Sequence, residues 1–369
     1  LLEGNIANAE NFMVLPSIAA AFLVVSLVWK KQRTFLSKNS LLTFIVAGVL
    51  LGLSFLIKVV AVFDVAAFSL FFFFLTFENL QKSAVQILVN IATFMAGFCI
   101  PILLTALFFF SHGAFKIFLQ STLFSNIGYV NYGNQFIIPQ GLLIFKLLLL
   151  FVISLALFIK RKHLSPSFIF ITLWLSFSVF SALFSQRPYT HYILVLIPSL
   201  CLFAAYLLEE KTTISRAIQA VIFIGLVIFL VQTFWIYSKT TAYYLNFAQY
   251  VLGQKDTIAY QSFFDRSVPE DYALAQFLQT HMKSADGVFI WGNSGQIYKM
   301  ANTLPPGRYI VAYHIDANQI TRMETLQAVE KQNPKYVIIQ PNAPAFPYPL
   351  HGYQELYTID GALIYERVF

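Results

Sequence analysis

Long uninterrupted runs of apolar residues constrain this sequence more than any other feature. A helix needs about 20 apolar residues to cross the hydrocarbon core of a bilayer, with a range of roughly 17–25. Eight segments meet this requirement: residues 12–29, 41–57, 59–77, 84–110, 141–159, 166–184, 192–208 and 217–237. The second and third segments are separated only by Lys58, which predicts either a tight re-entry at the membrane surface or one bent helix.

The composition excludes several other classes of protein. Hydrophobic residues make up 58% of the chain and charged residues only 11%, whereas an ordinary globular domain carries roughly 25% charged residues. A disulfide-rich secreted module, a disordered tail and a nucleic-acid-binding domain are therefore excluded, and membrane lipids are the expected surroundings. Cys99 and Cys201 lie in apolar runs without a second cysteine or histidine at metal-ligand spacing, so they are interpreted as small buried hydrophobic residues. No metal-ligating residues and no organic cofactor are predicted; a divalent metal ion is the one cofactor that the sequence leaves open.

Basic residues are distributed unequally between the loops, which predicts the orientation of the chain. One set of alternate loops holds ten Lys and Arg residues, and the other set, with its adjoining span ends, holds four. Because Lys and Arg are enriched in cytoplasmic loops, the loops around Lys31, Lys160 and Arg216 are predicted to be cytoplasmic. Leu1 and everything after Tyr237 are then extracytoplasmic, and the chain is a multi-pass protein of the plasma or inner membrane.

The sequence changes character after residue 238. From there to the end, basic and acidic residues number ten and eleven, and helical and strand patterns alternate. This alternation predicts a small, mostly parallel α/β sheet with an antiparallel edge. The expected fold is therefore a polytopic α-helical membrane domain of about eight transmembrane helices (1–237), followed by a small extracytoplasmic α/β domain (238–369).

Local patterns predict the elements of this second domain. Ser267 is expected to cap a helix whose first turn carries Pro269, Glu270 and Asp271. Asp360-Gly361 between two strand patterns predicts a hairpin. The expected elements are strands at 287–291, 309–314, 335–340, 354–359 and 362–368, a short helix from Ser294 and a helix at 318–332.

Ionisable residues at the ends of the apolar segments are the candidate functional residues, because charge is costly in a bilayer. Glu10 immediately precedes the first segment and Lys58 separates the second from the third. Asp64 lies about 9 Å beyond Lys58 on a helix that rises 1.5 Å per residue. On the predicted topology all three reach the extracytoplasmic face. For Lys58, snorkelling to the lipid headgroups is an equally good interpretation, and Asp64 could simply pair with a cation.

The link before the seventh segment concentrates hydrogen-bond donors. Arg187, Tyr189 and His191 lie in a run that is too short to need them for solubility. Arginine offers a planar fork for phosphate oxygens and lysine a point charge. We therefore expect Arg187, with Lys58, His191 and Tyr189, to bind a lipid phosphate at this membrane surface.

The long extracytoplasmic loop at 111–140 combines two patterns. Residues 115–124 are amphipathic, which favours a helix lying on the membrane surface. Asn126, Tyr129 and Tyr132 follow, and their side chains are suited to contact sugar hydroxyls, although asparagine also favours turns.

Four stretches carry a resemblance to a known group of enzymes. They are residues 3–12, 47–58, 187–192 and 289–293. Together they resemble polytopic glycosyltransferases of the GT-C superfamily, which use polyprenyl-phosphate sugars and include the protein O-mannosyltransferase and lipid A aminoarabinose transferase relatives. The resemblance covers nearly the whole chain.

The resemblance implies an inverting transfer of a sugar from a polyprenyl-phosphate donor to an extracytoplasmic acceptor, which is a cell-envelope glycan, a lipid or a protein. It also implies that the catalytic base lies upstream of Leu1, so we expect this chain to start too late to contain it. Glu10 matches an acidic motif of the family and is suited to orient the sugar or the acceptor. Within this sequence Glu10 and Asp64 are the possible catalytic carboxylates.

Two other kinds of function compete with this interpretation. In a transporter or lipid flippase, buried charges would line a path through the bilayer instead of collecting on one face. In a non-catalytic scaffold, the outer α/β domain would bind a partner and the charged cluster could be removed without loss of function. The one-sided clustering of charge favours an enzyme.

Overall fold

The apolar segments of the sequence are helices. The computed structural model describes residues 8–29, 38–76, 80–124, 141–184, 189–209, 213–234, 236–283 and 285–368. The helices of the apolar part are α1 (Ala9–Trp29), α2 (Lys38–Ile57), α3 (Val62–Thr76), α4 (Leu80–Ser111), α5 (Phe115–Leu119), α6 (Gly141–Lys160), α7 (Pro166–Ala182), α8 (Ile197–Glu209) and α9 (Thr213–Phe234). Contacts along the chain divide it into two units, with the boundary between Thr240 and Thr241.

Several of these helices are long and apolar enough to cross a membrane, as a helical membrane protein requires. In the described residues there are five such stretches: 9–27, 40–57, 88–111, 143–160 and 216–234. Three further apolar helices, at 59–74, 166–182 and 197–209, are shorter. Each of the eight predicted segments thus coincides with an apolar helix, but length supports five crossings. Two of the shorter segments begin with a turn of 3₁₀ helix, at Val59–Ala61 and Thr190–Val195, which reduces their α-helical length.

The break at Lys58 is a re-entry and not a bend in one helix. Lys58 has extended backbone angles, φ −152° and ψ 124°, between α2 and the 3₁₀ turn. Phe44, near the start of α2, contacts Phe72, near the end of α3, with ring centroids 4.7 Å apart. Residues equally far from Lys58 on its two sides are therefore in contact, so α2 and α3 fold back on one another.

Small residues allow α2 and α4 to approach closely. A Cβ atom added at Gly48 would overlap the backbone carbonyl of Phe94, and one added at Gly97 would overlap that of Ile45. Small residues at such crossings let two helix backbones come together where lipid supplies no hydrophobic driving force. Around this crossing, Phe68 packs edge-on against Trp174, with centroids 5.8 Å apart, in a core rich in aromatic rings.

The second unit combines helices with a four-stranded sheet. Its helices are α10 (Ile236–Val251), which carries the boundary between the units, α11 (Thr257–Ser262), α12 (Val268–His281), α13 (Gln296–Met300), α14 (Ala312–Ile315) and α15 (Gln319–Gln332). Its strands are β1 (Val288–Trp291), β2 (Tyr336–Ile339), β3 (Tyr353–Ile359) and β4 (Ala362–Arg367). The sheet order is β1-β2-β4-β3.

The predicted hairpin is present, but the sheet is not mostly parallel. Asp360 and Gly361 join β3 to β4 with φ values of 48° and 91°, the left-handed conformation that such a turn requires. β1 pairs with β2 in parallel, whereas β2–β4 and β3–β4 are antiparallel. The prediction was wrong because the hairpin inserts its second strand beside β2, a pairing that no local pattern encodes.

Two local predictions in this unit were also wrong. Residues 309–314 do not form a strand: the amide of Ala312 donates to the Gly292 carbonyl, 2.7 Å away, and the chain then turns into α14. Ser267 does occupy the N-cap position of α12, but its hydroxyl donates to Asp265, 2.9 Å away, instead of capping the helix. The helix predicted at 318–332 is confirmed, with Asn318 as its N-cap.

Candidate functional site

An ion pair between a buried carboxylate and a partly exposed lysine joins the start of α1 to the break between α2 and α3. The Lys58 ammonium group contacts the Glu10 carboxylate. The Glu10 side chain is only 2% exposed and that of Lys58 is 24% exposed. Burial of a carboxylate in this way is costly unless an opposite charge is paired with it. The re-entry at Lys58 supplies that charge, because the extended backbone there interrupts the helix and directs the chain back into the bundle.

The 3₁₀ turn at Thr190–Val195 adds aromatic and imidazole groups to this pair. The Lys58 nitrogen lies 4.5 Å from the centroid of the Tyr192 ring, a cation–π contact. His191 Nε2 lies 3.9 Å from the same Glu10 oxygen that pairs with Lys58. Tyr189 stacks on His191, with ring centroids 5.4 Å apart. The structure thus brings four of the sequence-predicted site residues together: Glu10, Lys58, Tyr189 and His191.

An apolar cavity opens beside the ion pair. Its volume is about 660 Å³, within the range of roughly 300–1,000 Å³ typical of small-molecule sites. Aliphatic and aromatic side chains of α2, α3, α4, α5 and α7 supply most of its wall. Its polar lining residues are Glu10, Lys58, Ser121, Thr122, Ser181 and Tyr192. The cavity is therefore suited to an amphiphile, with its polar part at the ion pair and its apolar part against the aromatic and aliphatic side chains.

Part of this wall comes from the amphipathic stretch at 115–124. Phe115 and Phe118 line the cavity, as do Ser121 and Thr122 in the turn of π-helix that follows α5. The sequence predicted a helix at the membrane surface here but did not place it at the site. The sequence feature that could have placed this stretch at the site is the clustering of aromatic residues on one face of a short helix. The same feature is also compatible with simple contact to lipid.

Asp64 lies apart from the cavity, in the packed core of the bundle. Its carboxylate accepts hydrogen bonds from the Trp174 indole nitrogen at 2.9 Å and from the Ser17 hydroxyl at 3.0 Å. Ser17 is in turn 3.2 Å from the hydroxyl of Ser54. This network connects α1, α2, α3 and α7. Of the two candidate carboxylates, Glu10 therefore lines the cavity, whereas Asp64 is held by hydrogen bonds from two neighbouring helices, α1 and α7.

A second lysine near the end of an apolar segment, Lys146, forms a hydrogen bond with a backbone carbonyl. The Lys146 ammonium group, in α6, donates to the Leu183 carbonyl at 2.6 Å, just after the end of α7. Cations are favourable near the unpaired carbonyls of a helix C-terminus. This contact gives Lys146 a structural partner.

The remaining sequence-predicted site residues lie outside the described residues. They are Arg187, Asn126, Tyr129 and Tyr132. Among the residues that are described, no group of three or more His, Cys, Asp or Glu side chains is placed to hold a metal ion.

Comparison with known proteins yields no match. No protein-family description, no curated protein and no solved structure matches the chain. The chemistry of the site therefore has to support any functional conclusion by itself.

Proposed function

We propose that this protein is a membrane glycosyltransferase that transfers a sugar from a polyprenyl-phosphate donor to an acceptor outside the cytoplasm. One observation carries the proposal: the ion pair of the buried Glu10 carboxylate with Lys58 lies in the wall of an apolar cavity of about 660 Å³. A polyprenyl-phosphate sugar has the matching chemistry, since it joins a charged, sugar-bearing headgroup to an apolar chain.

The roles of the residues follow from the charge that develops during the reaction. The acceptor oxygen would attack the anomeric carbon and give its proton to a carboxylate base. The bond to the lipid phosphate breaks, and the departing phosphate takes on negative charge, which positioned cations stabilise. Lys58 would hold this phosphate together with Arg187, while His191 and Tyr189 complete its surroundings. Glu10, which pairs with Lys58 here, would orient the sugar or the acceptor once the phosphate takes its place beside the ammonium group.

The surrounding elements fit the same proposal. Asn126, Tyr129 and Tyr132 would contact sugar hydroxyls from the loop that follows the cavity-lining residues 115–124. The distribution of Lys and Arg in the sequence supports an extracytoplasmic site and second unit, in a multi-pass protein of the plasma or inner membrane. The acceptor would then be a glycan, lipid or protein of the cell envelope.

Enzymatic assay of the full-length protein in lipid nanodiscs tests the proposal. A polyprenyl-phosphate hexose with a labelled sugar is supplied together with cell-envelope extract, and release of polyprenyl phosphate is followed with transfer of the label. A charge-assisted hydrogen bond contributes about 1.5–3 kcal/mol, so Arg187→Ala should lower donor use roughly 10- to 100-fold at 1.4 kcal/mol per decade. Arg187→Lys should recover only part of the loss, because the planar fork is gone.

A matched control and two opposing outcomes make this assay decisive. Lys160→Gln, at the end of α6 on the face predicted to be cytoplasmic, should leave turnover unchanged. Movement of intact donor between leaflets without cleavage of the sugar–phosphate bond would instead identify a flippase. Normal turnover by Arg187→Ala at limiting donor would remove Arg187 from the proposed site.

The orientation is tested separately on intact cells. Single cysteines are placed at Gln276 in α12 and at Lys160, in a chain whose two natural cysteines are replaced by alanine. A membrane-impermeant thiol reagent should label the first and not the second. The reverse pattern would move the whole charged site to the cytoplasmic surface and would contradict the use of an extracytoplasmic acceptor.

A further inference from the structure

The helix that follows the last apolar segment carries an exposed apolar stripe. α9 ends at Phe234 and α10 begins at Ile236, so α10 starts where a candidate membrane span ends. We define the outer stripe of α10 as Tyr244, Leu245, Phe247, Val251 and, just beyond its end, Leu252. These side chains are between 49% and 71% exposed. At 3.6 residues per turn they fall within about 160° of the helix surface, which makes them one continuous face.

Contacts on the opposite face fix the direction of this stripe. Asn246 is 1% exposed, and its side-chain amide donates to the Tyr260 carbonyl at 3.1 Å. The same side chain accepts a hydrogen bond from the Lys255 ammonium group at 2.9 Å. The Tyr250 ring stacks on the Tyr260 ring, with centroids 4.4 Å apart. Since rotation of α10 would break these contacts with α11 and the turn before it, the outer stripe stays on the outside.

The chemistry of this face is not that of a surface in water. A helix on the surface of a soluble domain carries charged and polar residues on its outer side, whereas α10 has one charged residue, Lys239, which is not part of the stripe. Contiguous exposed apolar residues mark a surface that is covered by a membrane or by another protein. Ile258 of α11, 65% exposed, adds a further apolar group to this end of the second unit.

The position of α10 directly after α9 favours the membrane as the partner that covers the outer stripe. Tyr244 lies eight residues beyond the start of α10, about 12 Å at 1.5 Å per residue, and Leu252 lies about 24 Å from that start. The near end of the stripe is therefore held close to the bilayer surface, and the whole stripe meets that surface when α10 lies along it. Tyrosine is enriched at the depth of the lipid headgroups, and amphipathic helices bury Phe and Leu at the boundary with the acyl chains. We propose that α10 is an interfacial helix whose outer stripe inserts into the headgroup region of the membrane.

This role is independent of the glycosyltransferase proposal. An inserted stripe would hold the second unit against the membrane surface and limit its tilt. It requires only that α9 enters the bilayer and that the outer stripe meets lipid.

Spin labels on single cysteines test the proposal in the full chain. With Cys99 and Cys201 replaced by alanine, a label is placed at Ala248 or Val251, on the outer face of α10. The matched controls are Ile222 in the middle of α9 and Gln276 on the exposed side of α12. The protein is reconstituted in vesicles of phosphatidylethanolamine and phosphatidylglycerol, and collisions with oxygen, which concentrates in lipid, are compared with collisions with a water-soluble nickel chelate.

The proposal predicts how these labels rank in their accessibility to the two reagents. At 248 and 251, collisions with oxygen should outnumber those with the nickel chelate. The ratio of the two should lie between the ratio at 222 and the ratio at 276. Values equal to that at 276 would show that the stripe faces water and would overturn the proposal. Exclusion of both reagents, with dipolar broadening between copies, would identify a second copy as the cover and would overturn it as well. The label at 222 reports separately whether α9 lies in the bilayer.

Discussion

The Lys58 ammonium group forms an ion pair with the Glu10 carboxylate, a residue 48 positions earlier in the chain. The pair fastens the first turn of α1 to the re-entry between α2 and α3, and it lies in the wall of the cavity. On the function proposed above, this one contact would have two roles: it joins α1 to the re-entry, and it would set the charge that the headgroup of the donor lipid meets.

Removal of Lys58 alone should destabilise the bundle. Lys58→Gln leaves the Glu10 carboxylate buried without its lysine partner. Breaking a fully buried pair in this way costs about 3–5 kcal/mol, and the cost here should be smaller because Lys58 is 24% exposed and His191 stays near the carboxylate. The double variant Glu10→Gln with Lys58→Gln removes both charges and should recover most of the stability. Thermal unfolding in detergent, followed by circular dichroism, measures the difference.

The double variant also separates stability from binding. It should fold and yet bind polyprenyl phosphate more weakly than the unmodified chain, because the cation is absent. If Lys58→Gln alone melted at the same temperature as the unmodified chain, the pair would have no structural importance.

Asp64 should act through the fold and not through the reaction. Asp64→Asn keeps an acceptor for the Trp174 indole and a partner for the Ser17 hydroxyl, so folding and sugar transfer should both be nearly unchanged. Asp64→Leu leaves the Trp174 indole N–H unpaired in the core, at about 1–3 kcal/mol, while the Ser17 hydroxyl keeps Ser54 as its acceptor. Thermal unfolding and the transfer assay are run on both variants. A well-folded Asp64→Asn protein without transfer activity would make Asp64 a catalytic residue.

The sequence predicts the helices well because their signal is local, but it does not predict their partners. Runs of apolar residues define the helices. A re-entry at Lys58 and one bent helix would have the same apolar run, and the contact of Phe44 with Phe72 shows that the chain re-enters. The hydrogen bond between Trp174 and Asp64 spans 110 positions and has no local signature.

The same limit explains the result at the candidate site. Charge at the ends of apolar segments marked Glu10, Lys58 and His191, because such charge is costly and therefore informative. No sequence pattern predicts the ion pair between Glu10 and Lys58, since the pairing depends on how α1 packs against α2. The error at 309–314 has a similar origin: the apolar residues there favour a strand, but the tertiary contact of Ala312 with Gly292 overrides that preference.

The stability of the second unit should depend on pH through a buried carboxyl group. Burial raises the pKa of Glu270, and the neighbouring Asp271 raises it further, while a hydrogen bond from Gln340 opposes the change. A carboxyl group with a higher pKa in the folded state binds a proton more tightly there, so its contribution is favourable at low pH. It is lost as the pH rises from the unfolded pKa through the raised folded pKa.

Glu270→Gln removes the part of this dependence that comes from Glu270, whereas Asp271, whose pKa burial also raises, keeps its own part. At neutral pH the variant should be more stable than the unmodified chain, and its advantage should shrink at mildly acidic pH, where Glu270 binds its proton. The urea midpoint of the second unit, measured by pulse proteolysis of the full chain with detection of its C-terminus, gives both values. Glu330→Gln, on the exposed side of α15, is the matched control and should show no such trend. An equal effect of Glu270→Gln at both pH values would refute the assignment.

The central claim, that the cavity beside Lys58 holds a polyprenyl phosphate, is tested most directly by filling the cavity. Ala106 of α4 lines it, whereas Leu103, on the same helix, is 59% exposed. Equilibrium binding of a fluorescent polyprenyl phosphate is measured in nanodiscs for Ala106→Trp and Leu103→Trp. The account predicts at least about tenfold weaker binding for Ala106→Trp, equivalent to 1.4 kcal/mol, and unchanged binding for Leu103→Trp. Affinity of the folded Ala106→Trp protein equal to that of the unmodified chain would contradict it.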